Sequence, residues 1–153
     1  MKLIDFINKE YIYHQLAPKN KNDLIELMAG QLCLLHPEIS KKTLVENLLR
    51  REEENSTGIG NQIAIPHTID KNIKKTVCLL GQIPGGVEFE SMDNKKVLIA
   101  FMLVSPPGLM SEHIRLLSRI ARVIKDPKIV EMLSVASKEE ILKIITNEDS
   151  KQD

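Results

Sequence analysis

The side chains best suited to chemistry near neutral pH are four histidines, His14, His36, His67 and His113. His67 follows Ile63-Ala64-Ile65-Pro66, so an apolar strand delivers it. Pro66 cannot donate to a ladder, and the strand is expected to end there. An imidazole at such an end can be exposed yet rigidly aimed. In its neutral form it is a competent nucleophile and forms a labile phosphoramidate. The local pattern fits a loop histidine bonded to a nearby carbonyl equally well. His113 lies in the first turn of a helix that follows Gly108, four residues before an apolar Leu117. That spacing turns the ring toward the domain. A helix start favours anions, and an imidazole there can donate a hydrogen bond to a phosphoryl oxygen. Packing on the core rim is the plainer fate of such a residue. His14, in a polar segment, reads as surface, and His36, before Pro37, reads as a helix end.

Arg51 is three residues after Leu48 and seven after Leu44, which puts a cation on the inner face of a helix end. A guanidinium there needs an anion. Either a carboxylate of Glu52, Glu53 or Glu54 serves, or a visiting phosphoryl group does. Arg50 points elsewhere. The loop Thr57-Gly58-Ile59-Gly60 carries two glycines that let backbone amides approach an anion. It lacks the GxxxxGK[ST] pattern, so no nucleotide site is expected. No His and Cys pair has metal-ligand spacing.

The elements that must position these groups run helices, then strands, then helices. Asn22 is expected to cap a first helix with the stripe Leu24, Leu27, Met28, Leu32 and Leu35, ended by His36-Pro37. Ser40 caps a second, which runs out at Arg50 to Glu54. Strands are expected at Gln62 to Ile65, Thr76 to Gln82, Val87 to Phe89 and Val97 to Val104, with Pro84-Gly85-Gly86 and Asp93-Asn94 as turns. The run Val97 to Val104 is apolar on both faces, as in the middle of a covered sheet. A third helix presents Ile114, Leu116, Leu117, Ile120, Val123 and Ile124 inward. Asp126-Pro127 opens a short helix ending near Val135, and Ser137-Lys138-Glu139-Glu140 is a capping box for the last. The fold class is α/β, a single domain with a mixed sheet covered by helices. The domain is expected over 1–147, and the polar tail 148–153 is expected to fray.

Composition narrows the function. The chain has 153 residues, 42% of them hydrophobic, which argues against disorder. Lys+Arg and Asp+Glu are both 21 and aromatics are 3%, so neither a basic excess nor stacking platforms point to nucleic acid. Cys33 and Cys78 sit in apolar stretches and read as buried free thiols. No apolar run reaches membrane-spanning length, and a soluble, cytoplasmic protein is expected.

Together, Arg51-Glu52, Ser56-Thr57-Gly58-Ile59-Gly60-Asn61 and Ile63-Ala64-Ile65-Pro66-His67 resemble the signature of the mannitol/fructose-type enzyme IIA domains of the bacterial sugar phosphotransferase system. Val87-Glu88-Phe89, Met92-Asp93, Phe101 to Pro106 and Glu112-His113 extend the likeness over nearly the whole chain. The resemblance implies a phosphotransferase that acts as a phosphohistidine relay on a mixed sheet of about five strands with helices on both sides. It implies that His67 accepts a phosphoryl group from the phosphocarrier protein HPr. His113 and Arg51 then line the same site and stabilise that group, which passes to a IIB domain and, through a membrane IIC permease, to a sugar. No cofactor or metal is implied, because the donor is already a phosphohistidine.

Docking of two histidines calls for a shallow apolar surface, with Ile59, Leu109 and Met110 as its rim and Thr57, Gly58 and Gly60 as the loop beside the site. Two departures stand out: Gln62, where the family commonly has Gly, and Thr68 after the histidine. Gln62 is expected to face away from the ring by strand alternation. A nitrogen-type regulatory IIA, which signals phosphorylation state by binding other proteins, fits the same residues. A non-catalytic binding module would have lost one of the three key side chains, and all three are present.

Overall fold

A computed structural model describes residues 1–152; residue 153, the last of the expected tail, lies outside them. The first long helix, α1 (Lys21–Leu35), is capped by Asn20, whose side chain accepts the Asp23 amide, and so begins before the expected Asn22. Ser40 caps α2 (Lys41–Glu54) as expected. Short segments Ile12–Tyr13 (β1), Gly58–Gly60 (β2), Ile63–Ala64 (β3) and His67–Ile69 (β4) flank two long strands, Val77–Val87 (β5) and Val97–Ser105 (β6). Three helices close the chain: Met110–Val123 (α3), Pro127–Val135 (α4) and Lys138–Ser150 (α5).

The mixed sheet has six strands. Its order is β1-β5-β6-β3-β2, and β4 pairs with β6 beyond the end of β3. Strands β5 and β6 are antiparallel, while β3 and β4 lie parallel to β6. Alternation along β5 and β6 splits the core in two. Leu79, Ala100, Met102 and Val104 face α1 and α2, and Cys78, Leu80, Ile99, Phe101 and Leu103 face α3, α4 and α5. Helices therefore cover both faces, and the apolar run of β6 is explained.

Several local expectations are corrected. Asn61 (φ 53°) and Gln62 (φ 64°) are left-handed and turn β2 into β3, so Gln62 is not a strand residue and alternation does not govern its direction. The segment Pro84-Gly85-Gly86 does not end β5, which continues through it with a register shift to Val87; Phe89 lies beyond the strand, fully buried. The strand breaks for only two residues, Ile65 and Pro66. His67 opens β4, and the Leu103 amide donates to the Pro66 carbonyl at 2.9 Å. Ile114 is 59% exposed, because His113, Leu116, Ile120 and Val123 form the inner face of α3 and Ile114 falls outside that stripe.

The chain does not fray from Asn147. Helix α5 runs to Ser150, and the buried Asp149 holds Arg119 of α3 at 2.7 Å and accepts the Ile4 amide at 3.3 Å. Cys78 is buried and Cys33 partly so, both as free thiols.

Candidate functional site

His67 sits where the chain re-enters the sheet after Pro66, half-buried at the start of β4. Its Nδ1 lies 2.7 Å from the Ile65 carbonyl oxygen. A carbonyl only accepts, so Nδ1 carries the proton and donates it, and Nε2 is left with the lone pair. Burial lowers the His67 pKa, with Arg51 pushing the same way; the Ile65 bond and Glu52 oppose them. The ring is thus held as a neutral imidazole in a single tautomer. The bond to a nearby carbonyl, which the sequence offered as an alternative to function, is what aims it.

His113, in the first turns of α3, is 4% exposed. Its ring meets that of His67 edge to face, with centroids 5.5 Å apart and planes at 60°. Burial, and then the neighbouring His67, push its pKa down to about 4. Its Nδ1 lies 2.7 Å from Ser105 Oγ. The two imidazoles meet at the C-terminal end of β6: β4 carries one beside Leu103, and the turn after Ser105 carries the other back on α3.

Arg51 is half-buried at the end of α2 and lines one hollow with His67. Its guanidinium donates to the Asn55 carbonyl at 2.9 Å, and Glu54 is its carboxylate neighbour at 4.0 Å. Glu52 is occupied otherwise. This buried carboxylate accepts the Thr57 amide and the Lys21 ammonium, both at 2.9 Å, and the Thr57 hydroxyl. Lys21 also lies 4.6 Å above the Phe89 ring. The loop leading to β2 is therefore tied down from α1 and α2.

The hollow holds about 320 Å³ and is lined by Arg51, Ser56, Thr57, Ile59, Ile65 and His67, with Leu117, Ser118 and Ala121 of α3 as its far wall. It is shallow and mostly apolar. Ile59 is 46% exposed at its edge. Met110 is equally exposed at the start of α3 but is not among the lining residues. Leu109 lines a different hollow, with Phe6, Tyr11 and Glu112. The loop glycines shape the hairpin. Gly58 packs so close to Ser91 that a Cβ would come within 2.3 Å of Ser91 Oγ, its amide is bonded to Ser56 Oγ at 3.1 Å, and Gly60 has φ 91°.

His14 is half-buried away from this hollow; His36 is satisfied by Tyr11 Oη at 2.6 Å and by Glu38. Sequence reasoning missed Glu52 as the loop anchor, the α3 wall and Ser105. Only the last left a signal, a lone hydroxyl ending an otherwise apolar strand.

The arrangement sets a ring nitrogen with a free lone pair in an open apolar hollow that Arg51 also lines, with the buried His113 ring edge to face against His67. Residues 5–148 match the family described as phosphoenolpyruvate-dependent sugar phosphotransferase system, EIIA 2. The mannitol-specific phosphotransferase enzyme IIA component of Geobacillus stearothermophilus is 34% identical over 143 residues, covering 91% of this chain and 94% of that protein. The crystal structure of nitrogen regulatory protein IIA-Ntr from Neisseria meningitidis superposes with a TM-score of 0.84 at 28% identity, over 92% of this chain and 97% of that one. The complex of enzyme IIA-Mtl and phosphorylated enzyme IIB-Mtl from Escherichia coli shares the fold, with a TM-score of 0.79 at 21% identity over 92% of this chain and 97% of that one. The chain therefore belongs to the EIIA 2 family of the phosphoenolpyruvate-dependent sugar phosphotransferase system.

Proposed function

We propose that the protein is a phosphocarrier that accepts a phosphoryl group from phospho-HPr on His67 Nε2 and passes it to a IIB domain for sugar uptake. The observation that carries this reading is the Nδ1 bond to the Ile65 carbonyl, which leaves Nε2 bare beside Arg51 and His113. In each step a lone pair of the accepting group, first His67 Nε2 and then the nucleophile of the IIB domain, attacks phosphorus. The bond from phosphorus to the donor's histidine nitrogen breaks, and its electron pair returns to that donor.

Catalysis is positioning and charge stabilisation. Arg51 offsets phosphoryl charge, and His113 donates a hydrogen bond to a phosphoryl oxygen. Thr57 and Ile59 belong to the surface on which the partner's histidine approaches. Met110 extends that surface along α3. The solved IIA-Mtl complex with phosphorylated IIB-Mtl supports a IIB partner for this fold. Among the described residues no helix is long and apolar enough to cross a membrane, so delivery to a membrane permease would run through that partner.

The test is transfer of labelled phosphate from phosphoenolpyruvate through enzyme I and HPr. Wild-type protein gains acid-labile label and His67→Ala gains none; label on His67→Ala would overturn the assignment. A second reading has a specific observation in its favour, the 0.84 likeness to a nitrogen regulatory protein. In that reading the same phosphohistidine reports phosphorylation state to other proteins. Transfer onward to a purified IIB domain supports the sugar relay, and a stable phosphoprotein that releases nothing to IIB supports the regulator.

A further inference from the structure

Strand β6 is apolar from Val97 to Val104 and then ends on a serine that is wholly buried. A buried hydroxyl without partners is costly, and Ser105 has two. Thr76 Oγ1 donates to Ser105 Oγ at 3.0 Å, and Ser105 Oγ lies 2.7 Å from His113 Nδ1. Thr76, Ser105 and His113 are all 7% exposed or less. The Ser105 backbone is held as well, because it pairs with Ile69 of β4 and its carbonyl accepts the Asp70 amide at 2.9 Å. The hydroxyl is carried by the best-anchored strand of the sheet.

A hydroxyl has one proton to give. With Thr76 donating to Ser105, the Ser105 proton is available for His113 Nδ1, which is then the bare nitrogen. A neutral imidazole keeps one proton, and it must sit on Nε2. An Nε2–H group attracts a phosphoryl oxygen, whereas a bare Nε2 would set a lone pair against an anion. The opposite polarity, with His113 Nδ1–H donating to Ser105, would leave Nε2 unable to donate.

We propose that the chain of hydrogen bonds from Thr76 through Ser105 fixes His113 as an Nε2–H donor, which makes Ser105 and Thr76 positioning residues for phosphoryl transfer at His67. The inference rests on the phosphocarrier reading for its consequence, but the tautomer is observable without any phosphate. The test uses the full chain labelled with ¹⁵N-histidine and long-range proton–nitrogen spectra near neutral pH, beside the rate of label uptake from phospho-HPr. Wild-type His113 is expected as the Nε2–H tautomer. Ser105→Ala should shift it toward Nδ1–H and slow uptake about tenfold, the low end of losses from removing a partner behind a functional histidine.

Thr76→Val, which keeps shape and removes the donor, should move the tautomer the same way with a smaller loss in rate, and Thr76→Ser should restore both. If Ser105→Ala does not fold, the Thr76 pair carries the test. A wild-type His113 with Nδ1–H, or variants whose tautomer and rate match wild type, would overturn the proposal. Wild-type protein that takes no phosphate while showing the Nε2–H tautomer would overturn the phosphocarrier reading instead.

Discussion

Acid should weaken this fold through His113, by an amount that its burial sets. The ring is 4% exposed and hydrogen-bonded to the buried Ser105 hydroxyl. Burial, and next the His67 ring, lower its pKa from 6.5 to about 4. The unfolded chain therefore takes up a proton near pH 6.5 that the folded protein refuses until about pH 4. The stability linked to neutral His113 is complete above that upper value, falls through the window, and levels off below the lower one. Linkage gives a loss of about 2–3 kcal/mol by about pH 4.5 relative to about pH 7.5.

The assay is urea unfolding of wild type and His113→Gln across that range. Glutamine does not titrate, so the difference between the two curves isolates His113, while the carboxylates common to both cancel. With a urea slope of about 2 kcal/mol/M, the wild-type midpoint should fall by about 1 M more than that of the variant. His67, also lowered, acts in the same direction and remains in both proteins. Midpoints that fall in parallel would refute the reasoning.

Three further perturbations follow from the same geometry. Arg51→Ala should slow phosphorylation of His67 about a hundredfold, the scale of removing one preorganised donor from developing charge, with thermal stability nearly unchanged because the guanidinium is half-exposed; quenched-flow label uptake reads it. Gln62→Gly should raise stability by about 0.5 kcal/mol, since relief of the left-handed backbone slightly exceeds the added entropy of the unfolded chain; a urea midpoint that falls would contradict it. Truncation after Asn147 removes the Asp149 carboxylate from Arg119 and from the Ile4 amide, and should cost about 3 kcal/mol by the same measurement.

Much of this fold is legible in the sequence because its signals are local. Ser40, Asp126 and Ser137 announce helix starts by cap chemistry, and all three cap in the structure. Val97 to Val104 announces a central strand by being apolar on both faces. The misses come where tertiary contacts override local signals. Pro84-Gly85-Gly86 has turn composition, yet β6 holds Val87 in register with Val97. The polar sequence after Asn147 reads as a frayed end, yet Asp149 is needed by Arg119, thirty residues earlier in α3. Gln62 reads as strand because side-chain alternation says nothing of φ.

At the site, His67 shares a hollow with Arg51 and meets the ring of His113 edge to face. The partners that orient them are not part of the expectation drawn from resemblance. Ile65 acts through a backbone oxygen, and Ser105 and Glu52 act through contacts that only the closed fold creates.

The proposed relay turns on one nitrogen, His67 Nε2, left bare to take a phosphoryl group. Its most direct test is the nitrogen spectrum of histidine-labelled protein after incubation with phosphoenolpyruvate, enzyme I and HPr. A single new phosphohistidine is expected, bonded through Nε2 of His67 with Nδ1 still protonated. Phosphate on Nδ1 of His67, or on His113, His36 or His14, would contradict it.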